Sequence, residues 1–396
     1  MKKNSSIYLD NAAATPVNLG VLKVYTNSIK RTSANPSALH APGVAAKTSL
    51  QKARKDVAQL LHATTDSIVF SRGGTESINM AILGTARKHG VNGNHIITTK
   101  VEHDAVLACM RELEKQGFDI TYLDVNDEGQ ISLKQLKKEI RPDTFLISIM
   151  SVQNEIGTIY PINDIGKMIL QYRKKNKTTY PLFHTDACQA TNYIDLHVER
   201  MHVDLMTLNG SKIYGLKSSG ILYKRRGVEL SPILQGGKQE QSLRPGTEDV
   251  AAATSFAKAL EIAQSQVETE NIRLNKLQQL FITQVNKYIK DVVLHGPKDL
   301  SDRVANNISM SFIGADSETV LIYLDGAEIY AGSGAACSTD KDEPSHVLKA
   351  CNKSSQELIS AIRFSFGRST TAQEIKTVVK QLKKTVERVR KINEIT

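Results

Sequence analysis

The run Val203-Asp204-Leu205-Met206-Thr207-Leu208-Asn209-Gly210-Ser211-Lys212-Ile213-Tyr214-Gly215 reads as a buried strand that delivers one lysine into a glycine-flanked turn. Small residues before Lys212 and Gly215 after it let an amine approach an aldehyde closely and condense with it as a Schiff base. The same run equally describes a surface lysine on a hairpin. A second reactive candidate is Cys337, which ends Gly332-Ser333-Gly334-Ala335-Ala336-Cys337. That stretch nearly imitates a dinucleotide fingerprint, but the cysteine replaces the third glycine and no βαβ unit surrounds it. Its small residues and the polar flank Ser338 to Pro344 predict an exposed thiol able to swing between two places, and a nucleophilic thiolate needs that exposure.

Other polar residues fall just after apolar runs. Ser71-Arg72-Gly73-Gly74-Thr75-Glu76-Ser77 follows the strand Ser67 to Phe70 and passes into a helix. Free backbone N–H groups, the positive helix end and the Thr75 and Ser77 hydroxyls then face one point, which describes an anion cradle or, equally, a plain helix cap. His103 follows the strand His95 to Thr99, Asn154 and Glu155 follow Thr144 to Met150, and Asp186 and Gln189 follow Pro181 to His184. Each alone is as well read as a cap or loop contact. An aspartate one strand before a Schiff-base lysine can keep a pyridine nitrogen protonated, which makes the ring an electron sink. His103 is then placed to stack on that ring and Gln189 to bond its phenolic oxygen. His184, His197 and His202 lack acidic or cysteine partners at ligand spacing, so no metal is expected. Cys109 and Cys188 read as core residues, and burial is favoured for Cys351.

These residues need elements to carry them. Strands at His95 to Thr99, Ile120 to Leu123, Thr144 to Met150 and Pro181 to His184 alternate with helices at Ala105 to Gln116, Leu133 to Ile140 and Ile165 to Tyr172. That alternation is the grammar of a mostly parallel sheet covered on both faces, with ligands at the carboxyl ends of strands. Asn35-Pro36-Ser37 is expected to cap a helix running through Leu61. A chain of 396 residues predicts two domains. The boundary is placed near Gln264, giving a large domain over 16–264 and a smaller α/β domain built from 1–15 and 265–396. Strands are expected there at Asn307 to Phe312, Ala327 to Ala331 and Ile362 to Phe366. The final helix carries Ile375, Val378, Val379, Leu382, Val386, Val389 and Ile392 on one face.

Composition excludes several classes. With 40% hydrophobic and 23% charged residues the chain is of ordinary globular make-up. Its best apolar run, Phe145 to Val152, is far short of the ~20 residues of a membrane span, and Met1 to Ser6 does not read as a signal peptide. Four cysteines without a CxxC pair point to a reducing cytoplasm. The net charge of +10 is spread over scattered lysines read as solvated helix faces, so no direct nucleic-acid partner is expected.

Taken together, these segments resemble the cysteine desulfurases, the NifS/IscS-like group of fold-type-I pyridoxal-phosphate enzymes in the class-V aminotransferase family. The resemblance runs from Tyr8-Leu9-Asp10-Asn11-Ala12-Ala13 to Arg363-Phe364-Ser365-Phe366-Gly367-Arg368. It passes through Asn35-Pro36-Ser37-Ala38-Leu39-His40, Gly74-Thr75-Glu76-Ser77, Glu102-His103, Asn154-Glu155-Ile156-Gly157, Asp186-Ala187-Cys188-Gln189, Lys212-Ile213-Tyr214-Gly215 and Arg244-Pro245-Gly246-Thr247. It implies an α/β fold-type-I transferase with pyridoxal 5'-phosphate on Lys212, Asp186 on the pyridinium, His103 stacked on the ring and Gln189 on the phenolic oxygen. Gly74, Thr75, Asn209 and Ser211 would border the phosphate, which Thr247 would reach in the other subunit of a homodimer. Asn11, Asn154 and Arg363 would hold the carboxylate of L-cysteine. Cys337 would take the sulfur as a persulfide and, on an extended loop of the IscS type, pass it to an acceptor protein for iron–sulfur clusters, tRNA thiolation or cofactors.

The sequence departs from the family pattern around the lysine itself. Ser211 stands where histidine is usual, Asn209 where serine is usual, and Gly215-Leu216-Lys217-Ser218 replaces a Gly-Pro-Lys-Gly run. A rigid φ and a permissive glycine are thereby lost. Two other readings stand beside the first: a selenocysteine or cystine lyase of the same family, and, motivated by Asn209, Ser211 and Leu216, a catalytically weak paralogue that acts as a binding partner.

Overall fold

The computed structural model describes residues 6–91, 93–333 and 344–393. The chain enters along β1 (Ile7–Tyr8) and forms α1 (Leu19–Arg31) and α2 (Ala41–Leu60). The expected cap at Asn35 is corrected here. His40 caps α2, its Nδ1 accepting from Gly43 N (3.2 Å), while Asn35 closes a separate turn by accepting from Ser37 N (2.9 Å). Pro42 explains the shift, since proline is tolerated in the first helical turn and nowhere deeper. The helix α1 was not expected. Of its apolar residues only Val21 is buried, while Leu19, Leu22 and Ile29 face outward, which blurs the periodic signal.

The alternating middle then follows as β2 (Ile68–Ser71), α3 (Gly74–His89), β3 (His95–Thr99), α4 (Asp104–Lys115), β4 (Asp119–Leu123), α5 (Leu133–Glu139), β5 (Thr144–Ser148), α6 (Ile162–Asn176), β6 (Leu182–Asp186), α7 (Val198–Met201), β7 (Leu205–Asn209) and β8 (Gly220–Lys224). Among the described residues these strands form a seven-stranded sheet in the order β2-β8-β7-β6-β5-β3-β4. The strands β3 to β7 pair in parallel, whereas the unexpected β8 runs antiparallel to β2 and β7. Period-2 alternation sends Ile97, Ile147, Phe183 and Met206 into one core and Ile96, Leu146, Leu182 and Leu205 into another on the opposite face. Burial on both faces is what a parallel sheet requires, and each such side chain contributes about 1.5–3 kcal/mol.

Two long helices, α8 (Val250–Ser265) and α9 (Val267–Tyr288), lead away from this sheet, and α1 and α2 pack on α8. The chain ends with β9 (Val292–His295), β10 (Asn307–Phe312), α10 (Ser317–Asp325), β11 (Ile329–Tyr330), α11 (His346–Ala350), α12 (Ser355–Ile359), β12 (Ala361–Ser365) and α13 (Ala372–Asn393). The antiparallel order β12-β10-β9 makes a second sheet, and β11 pairs in parallel with β1. Phe281 of α9 wedges between Phe364 (ring centroids 4.9 Å apart) and Phe366 (5.7 Å). The expected apolar face of α13 is buried from Ile375 to Val389, but Ile392 at its end is exposed.

Candidate active site

The polar residues singled out above gather at the carboxyl ends of β3, β5, β6 and β7. Lys212 closes a single 3-10 turn, Gly210–Lys212, directly after β7. The strands β7 and β8 are antiparallel neighbours, so Lys212 lies on their connection, and it is only half exposed. Its Nζ donates to the carbonyls of Ala12 (2.8 Å) and Ala13 (2.6 Å). Gln189 Nε2 donates to the same Ala12 carbonyl (2.9 Å), so the two side chains meet at one turn. That turn is held by Ala12 N donating to Ser365 Oγ (2.8 Å) and Thr15 Oγ1 donating to the Ser211 carbonyl (3.0 Å). Asn11 belongs to the same fastening. It is buried, its Nδ2 donates to the Ser365 carbonyl (2.9 Å), and its amide therefore fixes the turn.

Asp186 is the last residue of β6, buried, with Oδ1 accepting from Cys188 N (2.9 Å). Cys188 is a core residue as expected, and burial holds its thiol well above the usual range. Burial likewise pushes the thiols of Cys109 up to about 12 and Cys351 up to about 11. Gly73 takes φ of 124°, open only to glycine, and turns the chain into α3. A Cβ on Gly74 would meet Cys188 Sγ at 3.0 Å and Asn209 Nδ2 at 3.3 Å, so this helix start sits directly on the ends of β6 and β7. No side chain caps it, and the first amide used within the helix is that of Ser77, bonded to the Gly73 carbonyl (3.1 Å). The amides of Gly74, Thr75 and Glu76 thus point out of the helix end, beside the exposed Thr75 hydroxyl. Asn209 Oδ1 accepts from both Ser211 N and Ser211 Oγ (3.1 Å each), which leaves Nδ2 turned toward Gly74. Such a donor set is able to bind an anion, and Asp186 lies at the end of β6 beside β7.

His103 caps α4, its Nδ1 accepting from Ala105 N (3.1 Å), which fixes the ring. Behind it, Glu102 is fully buried; its Oε1 accepts from Thr99 Oγ1 (3.0 Å) and Met150 N (3.0 Å), tying the end of β3 to that of β5. Burial, reinforced by the charge of Asp186, pushes the Glu102 carboxyl up to about 8. Glu102 escaped the sequence reading as a site residue, and its only signal was an acid beside His103.

On the remaining side, Arg363 of β12 is 3% exposed and forms a fork, with Nη1 on the Asn154 carbonyl (3.0 Å) and Nη2 on Asp10 Oδ1 (2.9 Å). Asn307 Nδ2 donates to the same Asn154 carbonyl (3.0 Å). Asp10 was not singled out as a site residue in the sequence. Glu155 is buried and accepts from Ser345 Oγ (2.5 Å), and burial raises its carboxyl above the usual range. Cys337 lies outside the described residues. Gly332, on its near flank, exchanges both backbone hydrogen bonds with Arg363 (3.0 and 2.7 Å). Thr247 is exposed, on the loop that precedes α8.

The histidine of β6 is committed elsewhere: His184 meets Ser148 Oγ (2.9 Å) and Thr207 Oγ1 (3.0 Å), and burial pushes it down to about 4. His197 stacks on His62 at 3.9 Å. Among the described residues no group of three His, Cys, Asp or Glu side chains could hold a metal, and no helix is long and apolar enough to cross a membrane.

A mostly parallel sheet with an aspartate and a lysine at the ends of the neighbouring strands β6 and β7, and an uncapped helix start beside them, has the architecture of a fold-type-I pyridoxal-phosphate enzyme. Residues 7–378 match the class-V aminotransferases, and the chain belongs to that family, whose members use pyridoxal 5'-phosphate. It is 42% identical over 387 residues to the cysteine desulfurase IscS of Dictyoglomus turgidum, covering 98% of this chain and 96% of that protein. It is 37% identical over 384 residues to the putative cysteine desulfurase IscS 1 of Bacillus subtilis, covering 97% and 99%. Among solved structures, a NifS-like protein superimposes with a TM-score of 0.89 at 32% identity, covering 96% of this chain and 99% of that one. SspA in complex with cysteine does so with a TM-score of 0.77 at 34% identity, covering 91% and 99%.

Proposed function

We propose that this chain is a cysteine desulfurase, a sulfurtransferase that converts L-cysteine to L-alanine and passes the sulfur on through Cys337. The observation that carries the reading is the meeting of Lys212 and Gln189 at the Ala12 carbonyl, with the Arg363 fork anchored two residues away on Asp10. The residues fit pyridoxal phosphate: the amides of Gly74 to Glu76 with Thr75, Asn209 and Ser211 would border its phosphate, Asp186 its ring nitrogen, Gln189 its phenolic oxygen and His103 its face. When bound, the cofactor supplies an electron sink for the bonds at the substrate's α-carbon.

The chain's own groups do the rest. Arg363 and Asn154 bind and orient the substrate carboxylate, and Asn11 keeps the neighbouring turn in place. The Lys212 amine removes the proton from the substrate α-carbon and delivers one to the β-carbon once sulfur has left. The Cys337 thiolate attacks the substrate sulfur; the C–S bond breaks, a persulfide remains on Cys337, and alanine departs. The acceptor is a sulfur-carrying protein that collects this persulfide.

The working unit we propose is a homodimer in the cytoplasm. Leu19 (81% exposed) and Leu39 (96%), together with Leu22, Ile29 and Val44, crowd apolar side chains on the surface near α1 and α2, and a second copy would cover them. Thr247, exposed on its own chain, would reach the phosphate of the partner's site. The division into a large unit over 16–264 and a small one from 1–15 and 265–396 fits the joint between α8 and α9.

The deciding experiment measures alanine and sulfide released from L-cysteine with a thiol reductant by cofactor-loaded protein, beside Lys212→Ala and Cys337→Ser. Alanine from the wild type, lost in both variants, is the expected result. Cys337→Ser that still cleaves selenocysteine but not cysteine would instead identify a selenocysteine lyase. Loaded wild type that yields no alanine would overturn the enzyme reading.

A further inference from the structure

The connection between β8 and α8 carries Thr247, and its shape is not one that the local sequence favours. Glu240, Gln241 and Ser242 take φ of 44°, 61° and 64°, a left-handed run that costs energy in residues other than glycine. Something outside the run must hold it. Glu240 is buried, and its Oε2 accepts from Arg54 Nη1 (2.7 Å) and Phe70 N (2.8 Å), its Oε1 from Arg54 Nη2 (2.5 Å). Arg54 of α2 is also buried, donates to the Ile68 carbonyl (2.7 Å) and lies over the Phe70 ring at 4.9 Å. Between the left-handed run and α8, Arg244 pairs with Glu76 (3.0 Å) and Arg72 with Asp249 (3.1 Å), both nearer the surface. Exposed pairs fix geometry weakly, whereas a buried two-point pair braced by strand backbone fixes it strongly. Between Arg244 and Asp249 the connection borders a pocket that Leu50, Phe70 and Phe256 also line.

We infer that Arg54 and Glu240 are positioning residues for the partner subunit's site: they fix the backbone from which Thr247 reaches the phosphate bound by a second copy. The inference rests on the reading of Thr247 given above. It makes the pair act in trans, since the chain's own Lys212 is fixed by the Ala12 and Ala13 carbonyls instead.

The test uses mixed dimers purified through two different tags, in which one chain carries Lys212→Ala. Only the other chain can then have pyridoxal phosphate fixed to Lys212 by borohydride, and the extent of fixing against cofactor concentration reads the affinity of that one site. With Glu240→Gln placed on the Lys212→Ala chain, affinity at the live site is expected to fall roughly tenfold, the loss of one charge-assisted hydrogen bond. Glu240→Gln on the live chain itself is expected to leave its own site unchanged. Arg54→Lys, which keeps the charge but loses the fork, serves as a second variant should Glu240→Gln fail to fold. Weakening confined to, or equal at, the mutated chain's own site overturns the inference, as does no change in either arrangement. Thr247→Ala on the Lys212→Ala chain is the control. If it weakens the live site while Glu240→Gln does not, the strut falls and the reading of Thr247 stands; if it has no effect, that reading falls and the strut with it.

Discussion

Arg363 Nη2 lies 2.9 Å from Asp10 Oδ1, and the same guanidinium reaches the Asn154 carbonyl through Nη1 at 3.0 Å. With its head 3% exposed, the fork is held before any substrate arrives. Lysine at this position would keep the charge but not the planar, two-point geometry. Arg363→Lys should therefore raise KM for L-cysteine about ten- to a hundredfold, with a smaller fall in kcat. Initial rates of alanine release measure both, and an unchanged KM would remove Arg363 from carboxylate binding.

Ser218 takes φ of 54° on the exposed side of the connection after Lys212. It fills the place where a permissive glycine was missed in the sequence, and the left-handed conformation is indeed required there. Ser218→Gly should raise stability by about 1 kcal/mol, seen as a higher urea midpoint at constant slope. A lower midpoint would mean that the serine relieves its strain in another way.

Asn209 occupies a position where the family usually has serine, yet its Nδ2 faces the start of α3 while Oδ1 holds the Ser211 turn. The substitution keeps a donor beside the helix end. Asn209→Ala should weaken pyridoxal phosphate binding about tenfold or more, measured by equilibrium dialysis. Equal affinity would exclude Asn209 from the phosphate site.

The Glu102 carboxyl, raised to about 8 by burial, gives a pH signature. Between roughly pH 4.5 and 8 the unfolded chain releases this proton and the folded chain keeps it. Stability should thus be full below that window and fall as pH rises through it, by up to about 1.4 kcal/mol per unit. Urea midpoints across the window should lose this slope in Glu102→Gln. A slope that persists would assign it to other groups.

Leu19 and Leu39, both largely exposed, should be covered in the proposed homodimer. Leu19→Asp with Leu39→Asp should shift the protein toward monomer in light scattering, because charges would enter an apolar interface. A dimer that persists unchanged would place the interface elsewhere.

The strands that bear Lys212, Asp186 and His103 were legible because continuous apolar runs mark buried parallel strands and their polar ends stand out. The carbonyls that receive Lys212 were not. Ala12 and Ala13 lie about two hundred residues away in sequence, and a backbone acceptor is the same at every residue, so nothing in the residue types marks it. The fork partner of Arg363 was hidden for a related reason: Asp10 looks like any strand-end acid until β12 lies beside it. The helix α1 escaped because its apolar residues face outward.

The segment from Ile7 to Thr15 threads between β11, β12 and the lysine turn, and this has a consequence for biosynthesis. Its neighbours Tyr330 and Ser365 are made more than three hundred residues later than the segment itself. The seven-stranded sheet can assemble while translation continues, yet the turn that presents both carbonyls to Lys212 gains its Ser365 fastening only after β12 has been made. A nascent chain stalled before Ser365 should therefore hold a folded sheet whose lysine site lacks that fastening.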